Sequence, residues 1–191
     1  MITKLSSRAA TAAIVAAVVM LVLSGCAKKK GEAEQTTPKQ EESPPNVTIT
    51  NYTAAPDVEL TALDGRKTRL ASMRGNVVVV CFLATWSKDC AGQIPALNEL
   101  QDKVQRFQFP VLGVFTDKNG AAAVQDYVVK NAIRFRVYVD GDSVAKRFGG
   151  LPRLPTTYFL LKDGSIYDRE VGQRSMQEMD DKIKEIMSQR L

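Results

Sequence analysis

The sequence predicts an α/β domain with a mixed central sheet flanked by helices, and two patterns indicate it. Residues 77–83 are a continuous apolar run, typical of a strand buried on both faces. Residues 90–107 then place apolar side chains at helical spacing. Farther along, strand-like runs at 156–161 and 165–171 flank Lys162-Asp163-Gly164, which indicates a hairpin. A β-α-β half followed by a hairpin predicts strands of both directions in one sheet.

The remaining elements are predicted from local signals in chain order. Residues 57–70 contain two short strand-like runs around Asp64-Gly65, a turn pair that predicts an N-terminal hairpin extension. Gly149-Gly150 ends a short helix. The other stretches are predicted as strands at 110–115 and 136–139 and as helices at 121–132, 142–148 and 176–191. Residues 56–191 are therefore predicted to form one domain with a substantial core.

The N-terminal segment predicts export and a lipid anchor. Residues 1–25 combine the cations Lys4 and Arg8 with an apolar run too short to span a bilayer, as in a bacterial secretory signal. The ending Leu23-Ser24-Gly25-Cys26 resembles a lipobox, in which the cysteine is acylated, so Cys26 is the predicted lipidation site. An uncleaved anchor is the alternative. Either predicts an extracytoplasmic, membrane-tethered protein, on the periplasmic side in a Gram-negative cell.

The segment after the predicted lipidation site is predicted to be a flexible tether. Residues 26–55 are rich in Lys, Glu, Thr, Gln and Pro and poor in large apolar side chains. Such a composition buries too little surface to offset the entropy of ordering. The tether is expected to hold the domain away from the membrane.

Composition excludes several classes of chemistry. The chain has no histidine, which removes histidine-based catalytic triads and histidine metal ligands. Its three cysteines, Cys26, Cys81 and Cys90, have no metal-cluster spacing, so neither a metal nor a cofactor is predicted. A net charge of +5 with both signs interspersed does not indicate nucleic-acid binding. Reactive groups are thus limited to thiols, carboxylates, lysines, hydroxyls and the backbone.

Three short motifs carry a resemblance to a known family. They are Ala55-Pro56-Asp57, Ala84-Thr85-Trp86 before the first helix, and Leu154-Pro155-Thr156-Thr157 before the hairpin. Together they resemble the membrane-tethered, thioredoxin-like proteins of the TlpA type, also called redoxin domains. The resemblance covers nearly all of residues 56–191. It implies a thioredoxin-like fold, thiol–disulfide oxidoreductase activity, and thiols or disulfides of exported proteins as partners.

The resemblance also implies site residues, and the chain departs from them twice. Family members present Cys-x-x-Cys at the start of the helix, with an attacking first thiol and a resolving second one. Here Ser87 occupies the first position and Cys90 the second, and Gln93 stands where an acid is common. Pro155 matches a cis-proline that faces the site. A serine hydroxyl cannot form a disulfide, so dithiol exchange through Ser87 and Cys90 is excluded.

Several roles remain open at the sequence level. A helix N-terminus favours a thiolate at Cys90, which would allow monothiol chemistry with disulfides or, as in peroxiredoxins, with peroxide and Ser87 as hydrogen-bond partner. Alternatively Cys90 is an inert core thiol, and the protein is a non-catalytic binding module with a groove formed by Trp86, Leu154 and Pro155. Cys81 is predicted to be structural, with a Cys81–Cys90 disulfide as the alternative.

Overall fold

The structure, a computed structural model, describes residues 47–188. The elements from residue 59 onward follow the predicted order. The strands are β1 Val47–Ala54, β2 Glu59–Ala62, β3 Lys67–Arg69, β4 Val78–Leu83, β5 Val111–Phe115, β6 Arg136–Val139, β7 Thr156–Leu160 and β8 Ser165–Val171. The α-helices are α1 Lys88–Val104, α2 Gly120–Lys130, α3 Gly141–Arg147 and α4 Met176–Ser188, and 3₁₀ turns occur at Leu70–Met73 and Gln105–Phe107.

The strands of this range form one mixed sheet in the order β1-β8-β7-β4-β5-β6-β2-β3. β4, β5 and β6 run parallel, and the other pairs are antiparallel. The β2–β3 hairpin extends the sheet beyond β6, which confirms the predicted hairpin extension. The predicted thioredoxin-like architecture is likewise confirmed, because a mixed central sheet carries the helices that the sequence predicted.

The strand β1 corrects the predicted extent of the tether. The tether was predicted for residues 26–55, but Val47–Ala54 pairs antiparallel with β8, with Val47 opposite Arg169 and Ala54 opposite Ser165. Its β-branched residues suit a sheet edge, and the polar composition of the flanking segment concealed that preference. The predicted signal segment, Cys26 and tether residues 26–46 lie outside the described residues.

Both faces of the central strand β4 are buried. Val79, Cys81 and Leu83 face a core that includes residues of α1 and α4, and Val78, Val80 and Phe82 face a second core beneath α3. This double burial accounts for the uninterrupted apolar run. None of the helices between residues 47 and 188 is long and apolar enough to cross a bilayer.

Candidate functional site

The loop between β4 and α1 forms the centre of the candidate site. Ser87 is the N-cap of α1: its Oγ accepts a hydrogen bond from the Cys90 backbone N–H at 3.3 Å, and its carbonyl accepts one from Ala91 N–H at 3.1 Å. The helix therefore begins at Lys88, ahead of the predicted start at residue 90. Ser87, which the family resemblance aligns with the attacking cysteine, therefore has a structural hydrogen bond in this protein.

A carboxylate that the sequence analysis missed holds this loop in place. Asp117 accepts hydrogen bonds from the Thr85 backbone N–H, at 3.0 Å to one oxygen and 3.2 Å to the other, and from Thr85 Oγ1. Asp117 follows β5 just as Thr85 follows β4, and these parallel strands end side by side, with Leu83 opposite Phe115. Polar residues after adjacent parallel strands meet at one sheet edge, which is the signal that could have found the pair.

Cys90 lies beneath the loop and is 1% exposed. Burial raises the pKa of its thiol, although hydrogen bonding by Ser87 and the Ala84 backbone acts in the opposite direction. Loss of solvation thus opposes the thiolate that the helix N-terminus would favour, and its effect on the pKa exceeds that of the hydrogen bonds.

Cys81 is a second buried thiol, in the middle of β4. Thr157 Oγ1 on the neighbouring strand β7 donates to its sulfur at 3.3 Å, and burial raises its pKa to about 12. Cys81 and Cys90 are both free. This agrees with the structural role predicted for Cys81 and contradicts the alternative of a Cys81–Cys90 disulfide.

A groove opens beside the site loop. It has a volume of about 710 Å³, and Trp86, Ser87 and Leu154 contribute to its lining. Trp86 is 71% exposed, and such exposure to water is unfavourable for so large an apolar side chain. The Leu154–Pro155 bond is cis, as the resemblance implied. Pro155 itself is buried and does not line the groove, so that Leu154 supplies the apolar wall expected from the proline.

The first turns of α1 are tied to the segments that surround them. Asp89 forms an ion pair with Arg153 at 2.7 Å, which links the helix to the loop before Pro155. Gln173 Nε2 donates to the Asp89 carbonyl at 2.8 Å. This contact needs Gly92, since a Cβ at that position would lie 2.2 Å from Gln173 Nε2. These links help to shield the turn that contains Cys90.

Gln93, which the family resemblance aligns with a common acid, makes two hydrogen bonds with the backbone of Arg174. Its Nε2 donates to the Arg174 carbonyl at 2.9 Å, and its Oε1 accepts from the Arg174 N–H at 2.7 Å. The side chain is buried against α4. A neutral amide satisfies both backbone groups of Arg174, whereas a carboxylate would satisfy only the N–H. Gln93 therefore has a structural role that an ionised acid could not fill.

The site offers few other reactive groups. Within residues 47–188, no group of three or more His, Cys, Asp or Glu side chains is arranged to hold a metal ion. Lys88 is exposed on the first turn of α1 and makes no ion pair among these residues. The arrangement can hold an extended ligand against Trp86, but it presents no accessible thiol.

Comparison with known proteins identifies similar sequences and folds. Residues 52–169 match the model of the AhpC/TSA family. The chain is 29% identical over 133 residues to the thiol-disulfide oxidoreductase ResA of Bacillus thuringiensis subsp. konkukian (strain 97-27), covering 69% of this chain and 76% of that protein. It is 30% identical over 130 residues to the thioredoxin-like protein YneN of Bacillus subtilis (strain 168), covering 68% and 76%.

A solved structure shows the same fold. The secreted thiol-disulfide isomerase of Corynebacterium glutamicum superposes with a TM-score of 0.69 at 19% identity. The superposition covers 80% of this chain and 96% of that protein.

Proposed function

The chain belongs to the AhpC/TSA family and is similar to thioredoxin-like thiol–disulfide oxidoreductases, and we propose that it is a binding module that has lost dithiol exchange. In this proposal the groove beside Trp86 holds a segment of an exported protein. The resulting complex is non-covalent, and no disulfide is exchanged.

The observation that carries the proposal is the pairing of Ser87 with a buried Cys90. Disulfide exchange starts with an exposed thiolate, and the position that supplies it in the family holds a hydroxyl that caps α1. The remaining thiol is 1% exposed with a raised pKa. A serine would need a general base, and the sequence contains no histidine.

The monothiol and peroxidase alternatives are less well supported. Both need a disulfide or a peroxide to reach the Cys90 sulfur as a thiolate. Burial opposes the approach of the reagent as well as ionisation of the thiol. Ser87 Oγ accepts a hydrogen bond from the Cys90 backbone N–H, and its hydrogen bonding lowers the pKa of the thiol, but burial has the larger and opposite effect.

The substitution Ser87→Cys tests whether the missing thiol is what prevents exchange. The fold and Cys90 are already in place, so we expect this variant to reduce insulin with dithiothreitol as the electron source. The wild-type protein and the matched Ser87→Ala variant should not exceed the uncatalysed rate. Insulin precipitation at neutral pH measures all three. Catalysis by the wild-type protein, abolished by Cys90→Ala, would refute the proposal of a non-catalytic module and establish a monothiol enzyme.

We further propose that the protein is anchored by a lipid at Cys26 outside the cytoplasmic membrane. The supporting observations are the Leu23-Ser24-Gly25-Cys26 ending and the likeness of the domain to a secreted isomerase. Expression in a bacterial host fed with radiolabelled palmitate should label the protein and place it in the membrane fraction. Cys26→Ala should abolish the label, with Cys81→Ala as the control. Equal labelling of wild type and Cys26→Ala would refute the anchor.

A further inference from the structure

We propose that Asn119 is a site of spontaneous deamidation, in which its side-chain amide becomes a carboxylate at the groove beside Trp86. Both residues line that groove. The reaction needs only water, so it goes beyond the proposed binding function and does not depend on it. Its direct consequence is a change in the charge of the groove.

The residue after Asn119 permits the reaction. Asn119 is the only asparagine of the chain that is followed by glycine. Gly120 has a φ of +80°, and a Cβ added to it would meet nothing within 4 Å. With no side chain and no crowding at residue 120, the peptide plane between the two residues is able to turn until the Gly120 nitrogen faces the Asn119 side-chain carbonyl.

The reaction is an intramolecular displacement followed by hydrolysis. The Gly120 backbone nitrogen loses its proton and attacks Asn119 Cγ. The new N–C bond closes a succinimide ring, and the Cγ–Nδ2 bond breaks as ammonia leaves. Water then adds to one of the two ring carbonyls and opens the ring, which gives aspartate or isoaspartate. Either product carries one more negative charge than asparagine.

The side chain of Asn119 is free to take part. It lies at the N-cap position of α2 and is exposed, and it makes no hydrogen bond to any residue between 47 and 188. Other asparagines are restrained. Both ends of the Asn98 amide are hydrogen-bonded to backbone groups, and Asn131 Nδ2 donates to the Tyr127 carbonyl at 2.9 Å. The structure thus distinguishes Asn119 by contacts as well as by its neighbour.

The start of α2 favours the reactive form of the nitrogen. The first N–H groups of a helix have no intrahelical acceptor, and the partial positive charge there stabilises an anion. The charges of Asp117 and Lys118, just before Asn119, offset each other. Asn119 has a ψ of 6°, so the attack requires the first turn of α2 to open briefly, as helix ends do at little cost.

Deamidation changes the groove from neutral to negative. Two lysines and two aspartates in its lining balance, namely Lys118, Lys146, Asp117 and Asp142. Arg153 also lines the groove and is paired with Asp89. A carboxylate at residue 119 therefore adds a charge that nothing in the lining compensates. Where the groove binds a protein segment as proposed above, this charge disfavours acidic side chains in that segment.

Peptide mass spectrometry of the purified full-length protein, incubated in its native state at pH 7 and pH 9, tests the modification. We expect Asn119 to be converted at least about tenfold faster than the other asparagines, because it alone precedes glycine. Conversion should be faster at pH 9, because the attacking nitrogen must lose its proton. Asn119→Gln is the matched control: it keeps an amide but closes a larger ring less readily, so its peptide should stay unchanged.

Trp86 reports the charge of the groove without any ligand, because it is the only tryptophan of the chain and lines the groove. Iodide and caesium ions both quench its fluorescence, and the ratio of the two quenching constants depends on the local charge. Asn119→Asp, which has the charge of the product, should lower the iodide-to-caesium ratio by about 1.3- to 2-fold, as expected for one added charge near the ring in salt. Gln125→Glu adds the same charge to the exposed surface of α2 outside the groove lining and should leave the ratio unchanged.

The outcomes test the site and its consequence separately. Equal conversion of another asparagine would overturn the assignment of Asn119. A native rate more than about 100-fold below the rate in urea would also overturn it, because α2 would then hold the amide away from the nitrogen. An unchanged quenching ratio in Asn119→Asp would overturn the effect on the groove. None of these results depends on peptide binding, so the proposed function stands or fails by its own test.

Discussion

Replacing Gln93 by glutamate tests the structural role of its buried amide. Gln93→Glu changes one amide nitrogen to oxygen and keeps the length of the side chain. The introduced carboxylate could still accept from the Arg174 N–H, but it could not donate to the Arg174 carbonyl as Gln93 Nε2 does at 2.9 Å. The substitution thus removes one donor and adds a charge at a site that is 1% exposed.

The expected loss of stability can be estimated in two ways. Leaving a buried carbonyl without a donor costs about 1–3 kcal/mol. A protonated carboxyl would restore the donor, but keeping it protonated at pH 7 against an ordinary pKa of about 4.3 costs about 4 kcal/mol, at about 1.4 kcal/mol per unit. The free energy of unfolding at pH 7 should therefore fall by about 2–4 kcal/mol.

The deficit should depend on pH with a definite sign. Burial raises the pKa of the introduced carboxyl in the folded protein above its value in the unfolded chain. The stability that the protonated form provides is then fully present below about pH 4 and is lost as pH rises through the folded-state pKa. Gln93→Glu should approach the wild type in acid and be least stable, relative to it, at neutral pH.

Urea unfolding followed by far-UV circular dichroism measures this difference at pH 4 and pH 7. Fluorescence is less suitable because Trp86 is already 71% exposed in the folded state. The matched control is Gln101→Glu on the same helix, where the side-chain oxygen only accepts a hydrogen bond from Val111 N–H, a role that a carboxylate can fill. That control should change stability by less than about 0.5 kcal/mol. Equal losses in the two variants, or a Gln93→Glu deficit independent of pH, would refute the structural role of the amide.

Three further predictions follow from the site. Cys90 should react with iodoacetamide at least about 100-fold more slowly in the native protein than in urea, and the pH midpoint of its labelling should lie above that of an ordinary thiol. Peptide mass spectrometry measures the labelling, and rapid labelling of the native protein would contradict the burial of Cys90. Asp117→Ala should lower the free energy of unfolding by about 1–3 kcal/mol by leaving Thr85 N–H without its acceptor, and it should alter the tryptophan fluorescence; an unchanged spectrum and stability would count against the loop contact. Gly92→Ala should change the stability of the wild type little, because a gain in helix propensity of about 1 kcal/mol offsets the loss of the Gln173 hydrogen bond to the Asp89 carbonyl. In a Gln173→Ala background the same substitution should be stabilising. Equal effects in the two backgrounds, measured by thermal unfolding, would exclude this coupling.

The elements predicted most accurately are those with strong local patterns. The apolar run that became β4 and the hairpin around Asp163-Gly164 were predicted because burial on both faces and tight turns leave direct marks on the sequence. The cis state of Pro155 followed from the family resemblance and is confirmed, whereas the loss of the attacking thiol at Ser87 stays a prediction of that resemblance. Strand β1 was missed, because its polar flanking segment dominated the composition and its partner β8 is more than a hundred residues away.

The sequence by itself determined the order of the elements from β2 onward, and its lack of histidine limited the chemistry that the site could perform. The tertiary structure decided what those residues do. Asp117 meets Thr85 across 32 positions of sequence, and Gln93 meets Arg174 across 81. Neither separation leaves a periodic pattern, because such contacts depend on how strands and helices pack and not on the conformation of neighbouring residues. The pKa of Cys90 was decided in the same way. The packing around the helix N-terminus determines whether the partial positive charge of the helix or the loss of solvation has the larger effect on the pKa of the thiol.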